Sequence, residues 1–246
     1  MLKFGRQLFK LEEVDSTNNF ATNLINGDLA DNGSVVVADF QTLGKGQRGN
    51  SWESQRGMNL TASIIFFPDN MALEDAIMVN WNTSLCLVQL LQQKGLEATI
   101  KWPNDIFIGN AKIAGILIEN ITQGHHVKSM VIGIGLNINQ EEFEVSSATS
   151  LKKELGQNFN VKEILLQLSD LMTQQFETHQ SKSYIKSAYE KSLYRRSIPT
   201  WFHINGEDCE GVVLGVSEEG KLNISINGKV LSLEHRQFQW VIPKLS

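Results

Sequence analysis

The sequence has 246 residues, a formal net charge of −5 and 41% hydrophobic residues. That length holds one substantial core plus a small satellite domain. The acidic balance offers no basic face for DNA or RNA, no apolar run reaches the roughly 18 residues that cross a bilayer, and the N-terminus has no charged-then-apolar leader. A soluble, cytoplasmic protein is expected, with Cys86 and Cys209 reduced and structural.

In chain order, Leu8 to Leu11 with Val14 reads as a first strand that ends at Asp15. Ser16 or Thr17 then precedes Phe20, Leu24 and Ile25, with Gly27 beyond, which is a helix with a cap and a stop. Residues 34–38 and 59–67 read as buried strands. Ala76, Ile77, Leu85, Val88 and Leu91 recur at helical spacing, with Trp81 and Cys86 as packing residues and Gly95 as the stop. Residues 100–119 read as two apolar strands around the hairpin connection Gly109-Asn110, which places Lys101 and Lys112 on neighbouring strands. Alternation continues through residues 131–139, where Gly133 and Gly135 leave room on the backbone. Thr149 caps a short helix ended by Gly156, and residues 160–193 are largely helical, with Asn160 and Glu163 spaced as a capping box. Past Pro199 come short alternating strands around turn residues such as Asn227-Gly228, enough for a small barrel that needs a larger neighbour for stability.

Chemistry concentrates in residues 39–54. Gly44, Gly46 and Gly49 alternate with Lys45, Gln47 and Arg48, which frees the backbone and gathers cationic and amide groups as an anion requires. The run lies between two strands, where a mobile loop belongs, although an ordinary surface turn has the same composition. It matches neither a Walker A loop nor a dinucleotide fingerprint. Other candidates also carry two readings. Ser16, Thr17 and Asn18 suit simple capping, Trp52 suits packing, Lys112 suits a strand edge in water, and Lys101 suits a side chain snorkelling to solvent. His125, His126 and His179 have no cysteine or carboxylate at metal-ligand spacing.

Five stretches in order, Asp15-Ser-Thr-Asn18, Gly44-Lys-Gly-Gln-Arg-Gly-Asn-Ser-Trp52, Lys101-Trp-Pro-Asn-Asp105, Lys112-Ile-Ala-Gly-Ile-Leu-Ile-Glu119 and residues 131–139, resemble biotin protein ligases. These enzymes join biotin to a lysine of a carboxylase carrier domain, and the resemblance covers nearly the whole chain. It implies an α+β fold: a class II synthetase-like catalytic domain over residues 1–196, with a mixed or antiparallel sheet and helices, then an SH3-like barrel over 197–246. It implies ATP and biotin as substrates, Mg²⁺, biotinyl-5′-AMP as the intermediate and a biotin carboxyl carrier domain as partner. With the first motif at residue 15, it also implies the short form without an N-terminal DNA-binding helix-turn-helix. A monomer and a homodimer are both compatible, the latter by sheet extension from edge strands in the 100–139 section.

The same resemblance assigns Ser16, Thr17, Asn18, Gln41, Gly44, Lys45, Gly46, Gln47, Lys112, Gly115 and Gly133 to biotin. It assigns Lys45, Gln47, Arg48, Asn50, Trp52, Asn104, Lys112 and Asn137 to the adenylate. Lys112, Arg48 and Lys45 become the catalytic cations, and Asp105 or Asn137 helps place the metal. A carboxylate and a phosphate repel one another, so positive charge must gather where they meet. This requires Lys112 and the glycine run to face each other from one side of the sheet. Lipoate or octanoate ligases and transferases share the fold and resemble the Lys-Trp-Pro-Asn-Asp stretch, while the glycine run looks like the biotin branch. A non-catalytic biotin-binding module is the other alternative, with Gln47 marking an inactive loop.

One departure stands out. The family's loop is usually Gly-Arg-Gly-Arg, and here Lys45 and Gln47 occupy the arginine positions. Lysine keeps the charge without the flat bidentate fork, and glutamine keeps neither. If Arg48 supplies the missing guanidinium, Arg48→Ala speeds release of biotinyl-adenylate more than Gln47→Ala does, and equal release rates would refute the substitution.

Overall fold

The computed structural model describes residues 2–145, 147–178 and 180–242, with Arg48 described by its backbone alone. His179 therefore lies outside the described residues. Apolar alternation in the first half of the chain builds strands β1 (Leu8–Leu11), β2 (Val35–Ala38), β3 (Leu60–Phe66), β4 (Ala98–Lys101), β5 (Asp105–Ile108), β6 (Ala111–Gln123) and β7 (His126–Leu136). They form one sheet in the order β1-β2-β3-β7-β6-β5-β4. Only β1 and β2 run parallel, so the sheet is mixed. β3 is buried along its whole length, as a strand covered on both faces must be. Helix α1 (Thr17–Asn26) supplies Ala21 and Leu24 to a small cluster with Val36, Ile65 and Val131. The larger core joins β3 and β7 to α2 (Ile77–Gln92), α4 (Val161–Glu177) and α5 (Lys182–Lys191). Among the described residues no helix is long and apolar enough to cross a membrane.

Several local expectations change. Residues 100–119 make three strands rather than two, because Pro103 has no N–H for a ladder and the chain turns there. Lys101 thus ends β4 and Lys112 is the second residue of β6, with β5 between them. Gly109 and Asn110 do connect β5 to β6, and Gly109 takes φ +55. The short helix α3 (Leu151–Leu155) is capped by Ser150, which accepts from Lys153 N–H, while the Thr149 hydroxyl bonds Glu154 instead. Asn160 caps α4 by accepting from the Lys162 and Glu163 N–H groups, and the long helical run breaks into α4 and α5. β5, β6 and β7 are paired on both sides, and the sheet edges fall at β1 and at β4, which carries Ile100 and Lys101 of the 100–139 section.

The C-terminal strands β8 (Pro199–Ile204), β9 (Glu207–Val216), β10 (Leu222–Ile226), β11 (Lys229–Leu233) and β12 (Phe238–Trp240) make a second, antiparallel sheet in the order β11-β10-β9-β8-β12. Among the described residues its end strands are not paired with each other, so an open sheet stands where a closed barrel was expected. Asn227 and Gly228 both have positive φ, 49° and 77°, as a tight hairpin turn demands.

The second sheet grips the turn between β4 and β5. Trp102 is buried, its Nε1–H donates to Gly220 O at 2.9 Å, and its ring stacks on Phe238 at 5.8 Å. From the other side, Asn80 Nδ2–H and the Tyr189 hydroxyl each donate to Pro103 O at 2.9 Å. Glu190 Oε1 accepts from Val216 N–H at 2.9 Å and closes the junction. Trp102→Ala removes stacking and a buried hydrogen bond together, and denaturant unfolding should show a loss of about 3 kcal/mol.

Candidate active site

The register of β6 against β7 pairs Gly115 with Gly135 and Leu117 with Gly133. Side chains two residues apart share a sheet face, so these three glycines clear a trough on it. A Cβ at Gly133 would stand 2.4 Å from Asn18 Oδ1, and one at Gly135 would stand 2.3 Å from the Trp52 ring. Helix α1 therefore closes one end of the trough and the glycine segment lies across the other. Between them is a cavity of about 140 Å³.

At the α1 end, Ser16, Thr17 and Asn18 are buried and line the cavity. Ser16 is the N-cap residue yet makes no side-chain capping bond. Gln41 Oε1 accepts from Thr17 N–H at 2.8 Å and lies 3.0 Å from Thr17 Oγ1. Asn18 Nδ2–H donates to Glu119 Oε2 at 2.7 Å, and Ser63 Oγ sits 2.6 Å from Asn18 Oδ1.

At the other end, Lys112 Nζ pairs with Asp105 Oδ1 at 2.7 Å and lies 5.3 Å from the Trp52 ring centre. Lys112 and the glycine segment thus face the same cavity, as the chemistry requires. Ser147 O accepts from Lys112 N–H and Lys112 O accepts from Thr149 N–H, which fixes the start of β6. Trp52 packs against Gly135 and also lines the cavity. Asn104 Nδ2–H donates to Ile116 O at 2.5 Å and Ile116 N–H donates to Asn104 O, so the Asn104 side chain is held against β6.

Lys45, Gly46, Gln47 and Asn50 line the cavity from the glycine segment. Lys45 Nζ donates to Asn19 Oδ1, and Asn19 Nδ2–H donates to Asp15. The Asn19 hydrogen bond, then the Ser16 N–H, hold the Asp15 carboxyl below the usual carboxylate range. The Arg48 side chain lies outside the described residues.

Two expected residues fall outside the cavity. Gly44 lines an adjoining hollow that also reaches Leu117 and Glu119 of β6, and its O accepts from Trp52 N–H and joins the two arms of the segment. Asn137 is buried, donates through Nδ2–H to Thr149 O at 3.0 Å, and leaves Oδ1 without a partner. Lys101 does not reach for water. Its Nζ lies 5.1 Å over the Phe107 ring, and burial pulls its pKa below the ordinary lysine value despite the nearby Asp105.

Sequence reasoning missed Asn19 and His235, which hold or line the site. Gly135 is two residues from Gly133 and period-two alternation placed both on one face. Nothing local marks His235, which comes from the turn before β12. Among the described residues no group of three or more His, Cys, Asp or Glu side chains is placed to hold a metal.

Comparison with known proteins agrees with this geometry. Residues 11–137 match the model of the biotin/lipoate A/B protein ligase family. The chain is 32% identical over 233 residues to the bifunctional ligase/repressor BirA of Bacillus spizizenii, covering 88% of this chain and 71% of that protein. It is 33% identical over 131 residues to the biotin--[acetyl-CoA-carboxylase] ligase of Paracoccus denitrificans, covering 52% of this chain and 53% of that one. The fold is that of the biotin protein ligase of Aquifex aeolicus solved with biotin and ATP, with a TM-score of 0.76 and 24% identity over 97% of this chain and all of that one. With the family model spanning half of the sequence and the Bacillus relative most of it, the chain belongs to the biotin/lipoate A/B protein ligase family.

Proposed function

We propose that the protein is an ATP-dependent biotin ligase, which makes biotinyl-5′-AMP and then transfers biotin to a lysine of a biotin carboxyl carrier domain. The observation that carries this reading is the cavity itself. A buried Ser-Thr-Asn triplet stands at one end and a Lys112–Asp105 pair at the other, beneath the Lys45 segment. The ligase relatives and the fold shared with an enzyme solved with biotin and ATP support it.

In the first half-reaction a biotin carboxylate oxygen attacks the α-phosphorus of ATP, a new P–O bond forms, and the bond to the β-phosphate breaks to release pyrophosphate. Lys112, with Lys45 and Arg48 from the glycine segment, would offset the charge of the two acids at the point of attack. Lys112 is already engaged by Asp105, so its ammonium is held in place before substrate arrives. In the second half-reaction the carrier lysine's amine attacks the acyl carbon, the C–O bond to AMP breaks, and the amide nitrogen loses a proton. The anhydride needs shelter from water in between, and Gln47, Asn50 and Trp52 stand along the wall that would provide it.

Mg²⁺ takes oxygen ligands and is often bound through one or two carboxylates plus substrate phosphates. Asp105, which lines the cavity, would suit that role, where the ion would screen the nucleotide phosphates. Under this reading residues 1–196 are the catalytic domain, and residues 197–246 are an SH3-like domain that steadies the turn carrying Asp105 and contributes His235 to the wall.

Pyrophosphate release with ATP should depend on biotin and stay at background with lipoate or octanoate. Lys112→Ala should lower that rate by about a hundredfold or more while the melting temperature stays close to wild type. Gly133→Ala drives a methyl into Asn18. Calorimetric titration should show biotin affinity falling about tenfold or more, with the affinity for ATP far less affected.

A further inference from the structure

Gln140, in the connection that follows β7, is 1% exposed, and its amide is fully used. Its oxygen accepts from Gln55 N–H at 3.0 Å and from Asn59 Nδ2–H at 2.5 Å. Its Nε2–H₂ donates to Glu53 Oε1 at 3.0 Å and to Glu142 O at 2.8 Å. A backbone donor on one side and a backbone acceptor on the other leave the amide one orientation, so its NH₂ must face Glu53. The second oxygen of Glu53 accepts from Glu144 N–H at 3.1 Å. Neither Gln140 nor Glu53 lines the cavity.

What the pair joins does line it. Glu53 follows Trp52, whose ring covers Gly135 and stands 5.3 Å from Lys112 Nζ. Among the described residues Trp52 Nε1 has no hydrogen-bond partner, so no polar bond of its own holds the ring. The Trp52 N–H bonds Gly44 O, which belongs to the same segment and moves with it. The hold from outside comes through the next residue, because the Glu53 side chain crosses to Gln140 and Glu144. Further along that connection, Ser147 O accepts from Lys112 N–H and Lys112 O accepts from Thr149 N–H. One stretch of chain therefore grips the backbone beside Trp52 at its start and brackets Lys112 at its end.

We infer that Gln140 and Glu53 are positioning residues for the adenylation step: they fix the backbone beside Trp52 so that its ring stays over Gly135 and confines the Lys112 ammonium to the cavity. The inference rests on the biotin-ligase reading and adds to it two residues that touch no substrate. Asp105 holds the ammonium by charge, and the ring face supplies the second restraint. The joint falls just past the glycine run. Residues 45–50 stay free to admit a ligand while the aromatic wall keeps its place.

The test is the single-turnover rate of pyrophosphate release at saturating biotin and ATP, with the melting temperature measured alongside. Glu53→Ala removes the joint from its more accessible side and should slow the step by about tenfold. Trp52→Ala slows it on its own, and adding Glu53→Ala to Trp52→Ala should change the rate by less than about twofold, since both act through one ring. Gln140→Glu sets two carboxylates against each other and should slow the step as Glu53→Ala does. The exchange of Gln140→Glu with Glu53→Gln again places one N–H donor between the side chains and leaves an oxygen for Glu144 N–H, and should recover to within about threefold of wild type. If Gln140→Glu or the exchange does not fold, the Glu53–Trp52 cycle decides by itself. A rate unchanged in Glu53→Ala, a loss that persists in full without the Trp52 ring, or a folded exchange as slow as Gln140→Glu overturns the inference and leaves the ligase reading intact. A wild type that releases no pyrophosphate with biotin overturns both.

Discussion

The ion pair between Lys112 and Asp105, 2.7 Å long and partly withdrawn from water, is the constraint around which the site is arranged. Asp105 opens β5 and Lys112 is the second residue of β6, so the pair exists only if the β5–β6 hairpin keeps its register through the bulge between Ile106 and Phe107. That register depends in turn on the Trp102–Asn104 turn, held by α2 and α5 on one side and by the C-terminal sheet on the other. A lysine free in water would spend its time on many rotamers. Here an acceptor and an aromatic face restrict it to the cavity before any substrate is present.

The two ends of the cavity follow different physics. The α1 end is buried and neutral apart from Glu119, and its groups are tied to one another at fixed distances. The opposite end is charged, and its glycine segment closes on itself through bonds from Trp52 N–H to Gly44 O and from Gly46 N–H to Asn50 O. A rigid end suits recognition of a ring of one shape, and a segment with few outside anchors suits a group that must enter and leave.

Much of the first sheet was legible because local chemistry and the fold agree. Gly109-Asn110 makes a turn, Gly27 and Gly156 end helices, and the apolar runs at β2, β3 and β7 form strands. Lys101 was misplaced because Pro103, read as part of a motif, also breaks a strand. β8 and β12 went unread because Pro199 and the short Phe238–Trp240 segment give little alternation on which to act. At the site, the triplet, Lys112 and the glycine segment were readable as types suited to acids and amides. Ser63 and Glu119 were not, since β3 and β6 meet Asn18 only through the sheet.

The trough is made by what three positions on β6 and β7 lack, and those positions differ in how much they would forgive. At Gly133 an added methyl meets the fixed amide of Asn18 and the backbone oxygen of Leu117. At Gly115 it meets the rim of the Trp52 ring and the far end of Lys112, at 3.0 to 3.3 Å, where the neighbours need give by only a few tenths of an ångström. Mutational drift therefore has one direction open to it. Small steps along β6 can reshape the Lys112 end, whereas the α1 end changes only by rebuilding several tied groups at once.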